Sequence, residues 1–231
     1  MIVNGRTADR VAAAVASVRE TAPAAACQGV AADLGTDEGC RTLVQDVPEL
    51  DILVNNVGIF EPKPFEAIPD ADWFRFFEVN VMSGVRLARA YLPGMRARNW
   101  GRVVFVSSES AVQIPVEMIH YGMTKTAQLA IARGLAEATV GTGVTVNSVL
   151  PGPTASEGVS TFVGQMADAR GVDADTMERE FFATARPSSL LKRFETPEEI
   201  AAMIVYVCSP RASGTNGAAL RVDGGVIRSM V

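Results

Sequence analysis

Tyr121 and Lys125 stand four residues apart in Tyr121-Gly122-Met123-Thr124-Lys125. In a helix that spacing puts a phenol and an ammonium on one face. A positive charge beside a phenol favours the phenolate and lowers its pKa, which suits it to give or take a proton near neutral pH. Taken alone, such a pair is also what ordinary surface neighbours look like. Ser107-Ser108 narrows the choice, because these serines end an apolar run and Ser108 precedes Tyr121 by thirteen residues. A hydroxyl at a strand end can hydrogen-bond a substrate oxygen and stabilise charge developing there. The alternative is that the two serines only solvate the strand end.

The elements that must position these side chains alternate along the chain. Residues 1–4 read as a short apolar strand ending at Asn4-Gly5, followed by an alanine-rich helix over 7–20. A second strand covers 29–32, with a helix after Thr36, and a third covers 51–54, ending in Asn55-Asn56. A long helix over 71–98 leads to the strand 102–107, whose centre is Val103-Val104-Phe105-Val106. The helix 119–140 carries Tyr121 and Lys125 and runs into the strand 144–149, and 218–222 closes the series. Short β-branched runs separated by helices predict an α/β chain: a Rossmann-like, doubly wound parallel sheet with helices on both faces. Thr196-Pro197-Glu198-Glu199 starts one more helix, running to about Cys208, because Thr196 can cap it and Glu199 can bond back to the cap. Without repeats or linkers, residues 1–231 read as one domain. The least regular stretch, 151–193, is rich in Gly, Ser, Thr and Met. Ligands bind beyond the carboxyl ends of the strands in such folds, so residues 154–193 are expected to form a flexible lid there.

Composition bounds the partners. The net charge of −5 and the lack of any basic, aromatic-rich cluster point away from nucleic acid. No stretch reaches the roughly 18 apolar residues of a membrane span. Arg6 and Arg10 ahead of an apolar run imitate a signal peptide, but Arg19-Glu20 interrupt the run. Cys27, Cys40 and Cys208 are widely spaced and outside any CxxC pattern, so they read as buried, reduced thiols of a cytoplasmic protein. With a lone His120 and no clustered Cys or His, no metal site is expected.

Five stretches, in order along essentially the whole chain, resemble the short-chain dehydrogenase/reductase family. They are Asn55-Asn56-Val57-Gly58, Asn80 within Val79-Asn80-Val81, Ser108 with Tyr121-Gly122-Met123-Thr124-Lys125, the run from Asn147 to Pro151-Gly152-Pro153-Thr154, and Val222-Asp223-Gly224-Gly225. The resemblance implies catalysis by Asn80, Ser108, Tyr121 and Lys125. Tyr121 is then the general acid or base, Lys125 lowers its pKa and holds the nicotinamide ribose, and Ser108 polarises the substrate carbonyl. Asn80 anchors a water that relays protons to Lys125. It also implies that Pro151, Gly152 and Thr154 orient the nicotinamide, that Asp33 with Leu34 meets the adenine, and that Asn55 and Gly58 lie along the cofactor. Turn geometry and strand termination explain the Asp33, Leu34, Asn55 and Gly58 positions equally well.

Asn4-Gly5-Arg6-Thr7 offers no carboxylate for a ribose 2′-hydroxyl, whereas Arg6 can pair with a 2′-phosphate. That favours NADP over NAD. One departure from the family pattern stands out: no strand, glycine-rich turn and helix precede residues 1–4. The resemblance places that strand between those of residues 1–4 and 51–54, and the turn supplies N–H groups to the pyrophosphate. Its absence would leave unpaired strand edges and exposed apolar surface. A misassigned start, a true fragment, or a gap filled by another subunit or a rearranged sheet would each account for it.

The leading expectation is an NADP-dependent oxidoreductase interconverting a small carbonyl and a secondary alcohol, of the 3-oxoacyl-acyl-carrier-protein reductase type, a label the shared machinery leaves weak. The alternative is an N-terminally truncated, non-catalytic remnant with impaired cofactor binding. The extended epimerases and dehydratases also use Tyr-x-x-x-Lys, but the short region after Gly225 argues against them. Gln113, Glu117, Met118 and His120 border the substrate pocket in relatives. His120 reads as a helix-start residue bonded to backbone, and Glu117 either as an exposed carboxylate or as a selector of polar or cationic substrates. Phe162, Met166, Met177, Phe181 and Phe182 line an apolar pocket from the lid or pack as ordinary core. By analogy the chain is a homotetramer or homodimer.

Overall fold

Apolar runs of the sequence become six parallel strands in the computed structural model, which describes residues 1–230 except for the side chains of Phe162, Gln165, Met166, Asp168 and Ala169. The strands are β1 (Ile2–Gly5), β2 (Gln28–Ala31), β3 (Ile52–Asn55), β4 (Gly101–Val106), β5 (Val144–Pro151) and β6 (Ala219–Val222). Between them lie α1 (Ala8–Thr21), α2 (Asp37–Asp46), α3 (Asp70–Phe77), α4 (Ser83–Ala97), α5 (Ile119–Glu137), α6 (Glu157–Arg170), α7 (Ala174–Thr184) and α8 (Pro197–Cys208). Threonines start three of these helices: Thr7, Thr36 and Thr196 each accept a backbone N–H, and Thr196 forms a full capping box with Glu199.

β4 and β5 are buried along nearly their whole length, which only a sheet covered on both faces allows. Alternate β4 residues divide between the two faces. Val103 and Phe105 pack with Leu87, Tyr91 and Met95 of α4 and Ala132 and Ala136 of α5. Val104 instead packs with Val149 of β5 and with Ile200 and Val207 of α8. This is the doubly wound architecture the alternation predicts. Arg102 sits inside this dry layer, where Nη1 donates to the carbonyls of Gly101 (2.8 Å) and Gly143 (2.9 Å) and the guanidinium lies over the Trp100 ring (4.8 Å).

Three departures from the sequence reading have physical causes. The predicted helix 71–98 is broken by a π turn, Glu78–Met82, that separates α3 from α4 and holds the buried Asn80. Residues 151–193 are largely helical. Their small and polar residues hide the pattern, but Asp173 caps α7 by accepting from Thr176 N (2.7 Å), and Met177 and Phe182 anchor the helix inward. Phe181, Phe182 and Phe194 form an aromatic cluster, while the Phe162 and Met166 side chains lie outside the described residues. Cys27 and Cys40 are buried free thiols, whereas Cys208 is half-exposed.

The sheet is divided. β1 pairs with β2 and β3 pairs with β4, but no described strand joins β1 to β3. On β3, Ile52 and Val54 remain 41% and 39% exposed. Within each part the parallel register aligns carboxyl ends: Gly5 with Ala31, Asn55 with Phe105, and Pro151 with Val222.

Gly84 sets how closely α4 approaches β4. A Cβ at this position would stand 2.6 Å from Cε1 of the fully buried Phe105 ring. Gly84→Ala is therefore expected to lose about 1–3 kcal/mol through overpacking, outweighing the roughly 1 kcal/mol gained in helix propensity. Urea unfolding checks this, and an unchanged or raised midpoint would show that the ring yields.

Candidate active site

The carboxyl end of β4 delivers two serines to the start of α5. Ser107 Oγ donates to the Lys125 carbonyl (2.9 Å), tying strand end to helix. Ser108 Oγ accepts from Ser110 N (3.1 Å), and the Ser108 hydroxyl opposes the rise of the Tyr121 pKa. Gly122 lets α5 come this close, since a Cβ there would lie 2.8 Å from Ile114 and 3.0 Å from the Ser110 carbonyl. The Phe60 ring meets Tyr121 edge-on at 6.5 Å.

One turn further along α5, Lys125 is buried and its Nζ lies 5.6 Å from the Tyr121 ring centroid. Nζ donates to the Val106 carbonyl (3.0 Å) and to Gln128 Oε1 (3.3 Å). Asn80 in the π turn is locked by its own amide: Oδ1 accepts from Ile59 N (2.7 Å), and Nδ2 donates to Ile59 O (3.0 Å) and Thr124 Oγ1 (3.0 Å). Its carbonyl accepts from Gln128 Nε2 (2.6 Å). Asn80, Ser108 and Lys125, spread over forty-six positions of sequence, are thus buried together, with Tyr121 half-buried among them.

Electrostatics here run against the simple sequence argument. Burial pushes the Tyr121 hydroxyl up to about 12, with the Glu109 charge adding to the rise and Ser108 and Arg186 opposing it. Burial pushes Lys125 down to about 8. The expectation that Lys125 lowers the Tyr121 pKa is therefore corrected for this state. The ammonium turns toward the Val106 carbonyl and Gln128, and loss of hydration dominates both groups.

Arg186, just beyond α7, joins the far side of the site. Its Nε donates to Glu109 Oε1 (2.7 Å) and its Nη1 to Glu117 Oε1 (2.9 Å), both in the segment between β4 and α5. Glu117 is thus neither a free surface carboxylate nor a free selector of cations. Gln113 donates to Ser188 Oγ (3.1 Å), a second tie between the same two segments. His120 is not backbone-bonded as predicted. Its ring lies 4.1 Å from Phe76 and 5.9 Å from Trp73, neither nitrogen has a hydrogen-bond partner, and burial lowers its pKa. Aromatic packing, not capping, holds it.

The residues predicted to follow a cofactor lie at or just beyond carboxyl strand ends. Arg6 follows β1 and is exposed. Asp33 follows β2 and is also exposed, but its Oδ1 accepts from Gly35 N (3.0 Å) in a tight turn, and Leu34 is core. Asn55 ends β3 buried, with both amide atoms unpartnered. Gly58 abuts Lys125 and Asn80: a Cβ there would lie 3.4 Å from Nζ and 3.5 Å from Oδ1. Pro151 ends β5, Gly152 N donates to Val222 O (2.8 Å), and Thr154 Oγ1 donates to Gly152 O (2.9 Å). Gln128, Thr124, Glu109 and Arg186 were not singled out by sequence reasoning. For Gln128 a signal existed, because three residues after Lys125 on a helix is the same face.

A family model described as Enoyl-(Acyl carrier protein) reductase matches residues 2–227. The chain is 48% identical over 230 residues to the protein named uncharacterized oxidoreductase YvaG of Bacillus subtilis (strain 168), covering 100% of this chain and 87% of that protein. It is 47% identical over 236 residues to uncharacterized oxidoreductase YvrD of the same organism, covering 100% and 88%. A solved structure, L-sorbose reductase from Gluconobacter frateurii complexed with NADPH and L-sorbose, superposes with a TM-score of 0.93 at 31% identity, over 99% of this chain and 87% of that one. The chain is a short-chain dehydrogenase/reductase. As a member of that family it is an oxidoreductase enzyme. The matches run along the whole chain and do not show the N-terminal shortening that the motif order implies.

One carboxylate beside Gly152 is unusual. Glu195 is 2% exposed, and neither of its oxygens meets a well-formed hydrogen bond. The adjacent Gly152 N–H is already committed to Val222 O (2.8 Å). Burial, then the charges of Asp223 and Glu199, push its pKa up from 4.5 to about 7. A raised carboxyl favours the fold below about 4.5, and that contribution is lost as pH rises through about 7. Glu195→Gln is thus expected to match the parent near pH 4 and exceed it by about 3 kcal/mol at pH 8. Urea unfolding at both pH values measures the difference, and an equal difference at both would remove Glu195 as a titrating group.

Proposed function

We propose that this chain is an NADP(H)-dependent oxidoreductase that interconverts a carbonyl and a secondary alcohol, with Tyr121 as general acid in reduction and general base in oxidation. The observation that carries this reading is the cluster of buried Ser108, Lys125 and Asn80 around the half-buried Tyr121 at the carboxyl end of β4. Ser108 holds the substrate oxygen and Tyr121 gives it a proton as the alcohol forms, while the ammonium of Lys125 stabilises the phenolate left behind. Asn80 fixes the start of this proton path through Thr124 and Gln128.

A dinucleotide suits the carboxyl edge. The unpartnered amide of Asn55 offers a donor and an acceptor there, Gly58 leaves room beside Lys125, and Arg6 can meet a 2′-phosphate. When bound, the nicotinamide supplies hydride to the carbonyl carbon or takes it back from the alcohol. The NADPH held by the Gluconobacter frateurii reductase supports the choice of NADP. Pro151, Gly152 and Thr154 orient the nicotinamide ring, and Asp33 and Leu34 border the adenine. Residues 154–193, with α6 and α7, act as a lid on a single domain, latched by Arg186 on Glu109 and Glu117.

A homo-oligomer in the cytoplasm completes this reading. Exposed apolar side chains on α3, Phe74 (74%) and Phe77 (41%), support self-association, and the free thiols suit a reducing compartment. No helix among the described residues is long and apolar enough to cross a membrane.

One observation favours a second reading, in which the chain holds the cofactor poorly and is not catalytic. It is the divided sheet, with no described strand between β1 and β3. A single pair of measurements separates the two. The chain is expected to bind NADPH at micromolar levels and to reduce small carbonyl compounds. Tyr121→Phe is expected to lose about 10²–10⁴ of turnover while binding NADPH within threefold of the parent. Failure of the parent to bind would favour the second reading, and undiminished turnover in the variant would remove Tyr121 from the reaction.

A further inference from the structure

Gln128 is buried to 1% exposure, and both ends of its amide are engaged by the proton-transfer site. Nε2 donates to the Asn80 carbonyl (2.6 Å), and Oε1 accepts from Lys125 Nζ (3.3 Å). This orientation is forced. A backbone carbonyl can only accept, and an ammonium can only donate, so a flipped amide would meet a mismatch at each end. The family resemblance assigns Asn80 a relay water toward Lys125, yet here the carbonyl of Asn80 is reached by a side chain one helical turn beyond Lys125.

Resting on the proposed oxidoreductase reading, we propose that Gln128 is a positioning residue: it clamps the Lys125 ammonium beside the Tyr121 ring by bridging it to the π turn at Asn80, and it supplies one of the two acceptors that keep that lysine charged. The surroundings make this acceptor consequential. From β4 the lysine meets the neutral Val106 carbonyl and within α5 the Tyr121 ring, while a Cβ at Gly58, after β3, would lie 3.4 Å from its Nζ and 3.5 Å from Asn80 Oδ1 of the π turn. The charged pair Glu109–Arg186 acts on Tyr121. Burial alone accounts for the lowered pKa of Lys125, with no ion pair offsetting it. A desolvated ammonium without a carboxylate partner depends on its hydrogen-bond acceptors to hold its proton. Removing one of two leaves the charged form weaker, and replacing the neutral acceptor with a carboxylate makes it stronger.

Three lysines, Lys63, Lys125 and Lys192, are present in the whole chain, so the charge of Lys125 is directly readable. Lysine labelled with 13C at Cε is incorporated into the full chain, Lys125→Met assigns the signal, and its shift is followed from pH 5 to 11. Lys125 is expected to titrate near 8 in the parent. Gln128→Leu is expected to lower that midpoint by about one unit, and Gln128→Glu to raise it by about one unit. Gln128→Met, which keeps the length of the side chain, replaces the leucine variant should that fail to fold. The alkaline limb of kcat for carbonyl reduction moves in the same directions, with KM within twofold.

Shifts of opposite sign cannot come from a merely loosened core, which would move both variants alike. A Lys125 midpoint that is unmoved, or that moves the same way in both variants, overturns the proposal. Opposite shifts without any turnover in the parent leave the clamp standing and overturn the oxidoreductase reading instead.

Discussion

A lysine kept out of water without a carboxylate is the constraint around which this site is built. Desolvation disfavours the charged amine, so the fold must give Lys125 acceptors, and those acceptors must not drift. β4 provides one as its last carbonyl, Val106, and Gln128 provides the other. Each is fixed from behind: Val106 by the β4–β5 ladder, and Gln128 by the Asn80 carbonyl in the π turn. The irregular turn between α3 and α4 therefore serves the chemistry. Asn80 faces the segment after β3 with its amide and Gln128 with its carbonyl, joining three elements at one residue.

The same economy of position governs the other edge of the site. Ser108 is the N-cap of a short turn whose next residue, Glu109, turns inward to Arg186. A buried carboxylate beside Tyr121 would by itself make the phenol still harder to ionise. Arg186 answers that charge locally, and it comes from the segment that follows α7. The electrostatic environment of the reacting tyrosine consequently depends on how residues 174–186 are seated. Removing either partner would strand a buried charge, a disruption that typically costs about 3–5 kcal/mol. Seating of this segment and tuning of the site are therefore one event.

Sequence made some of this legible and hid the rest for physical reasons. Periodicity located every strand to within a few residues, because buried parallel strands leave unbroken β-branched runs such as Val103-Val104-Phe105-Val106. Tyr121, Lys125 and Ser108 were legible because helical and strand-end geometry constrain their spacing. The π turn was not, since no residue type marks the insertion of an extra residue into a helical turn. His120 misled because its neighbours in space, Phe76 and Trp73, are more than forty positions away. Arg186 was invisible for the same reason, lying 77 residues from Glu109. The lowering of the Tyr121 pKa by Lys125 failed as an inference because spacing reports proximity along a helix, whereas burial, which spacing does not report, decides which charge survives.

The two displaced pKa values make a joint statement about the proposed reaction. With Tyr121 near 12 and Lys125 near 8, the pair at neutral pH is a protonated phenol beside a largely protonated amine. That is the protonation state which the proposed carbonyl reduction asks of the pair. Oxidation needs the phenolate, and the phenolate is reached only if its charge is met when the proton leaves. The Lys125 ammonium, 5.6 Å from the ring centroid and held by two neutral acceptors, is the cation that the proposed reaction uses to meet it. Neutral acceptors hold the lysine in place without cancelling its charge, which leaves that charge available to a phenolate at Tyr121.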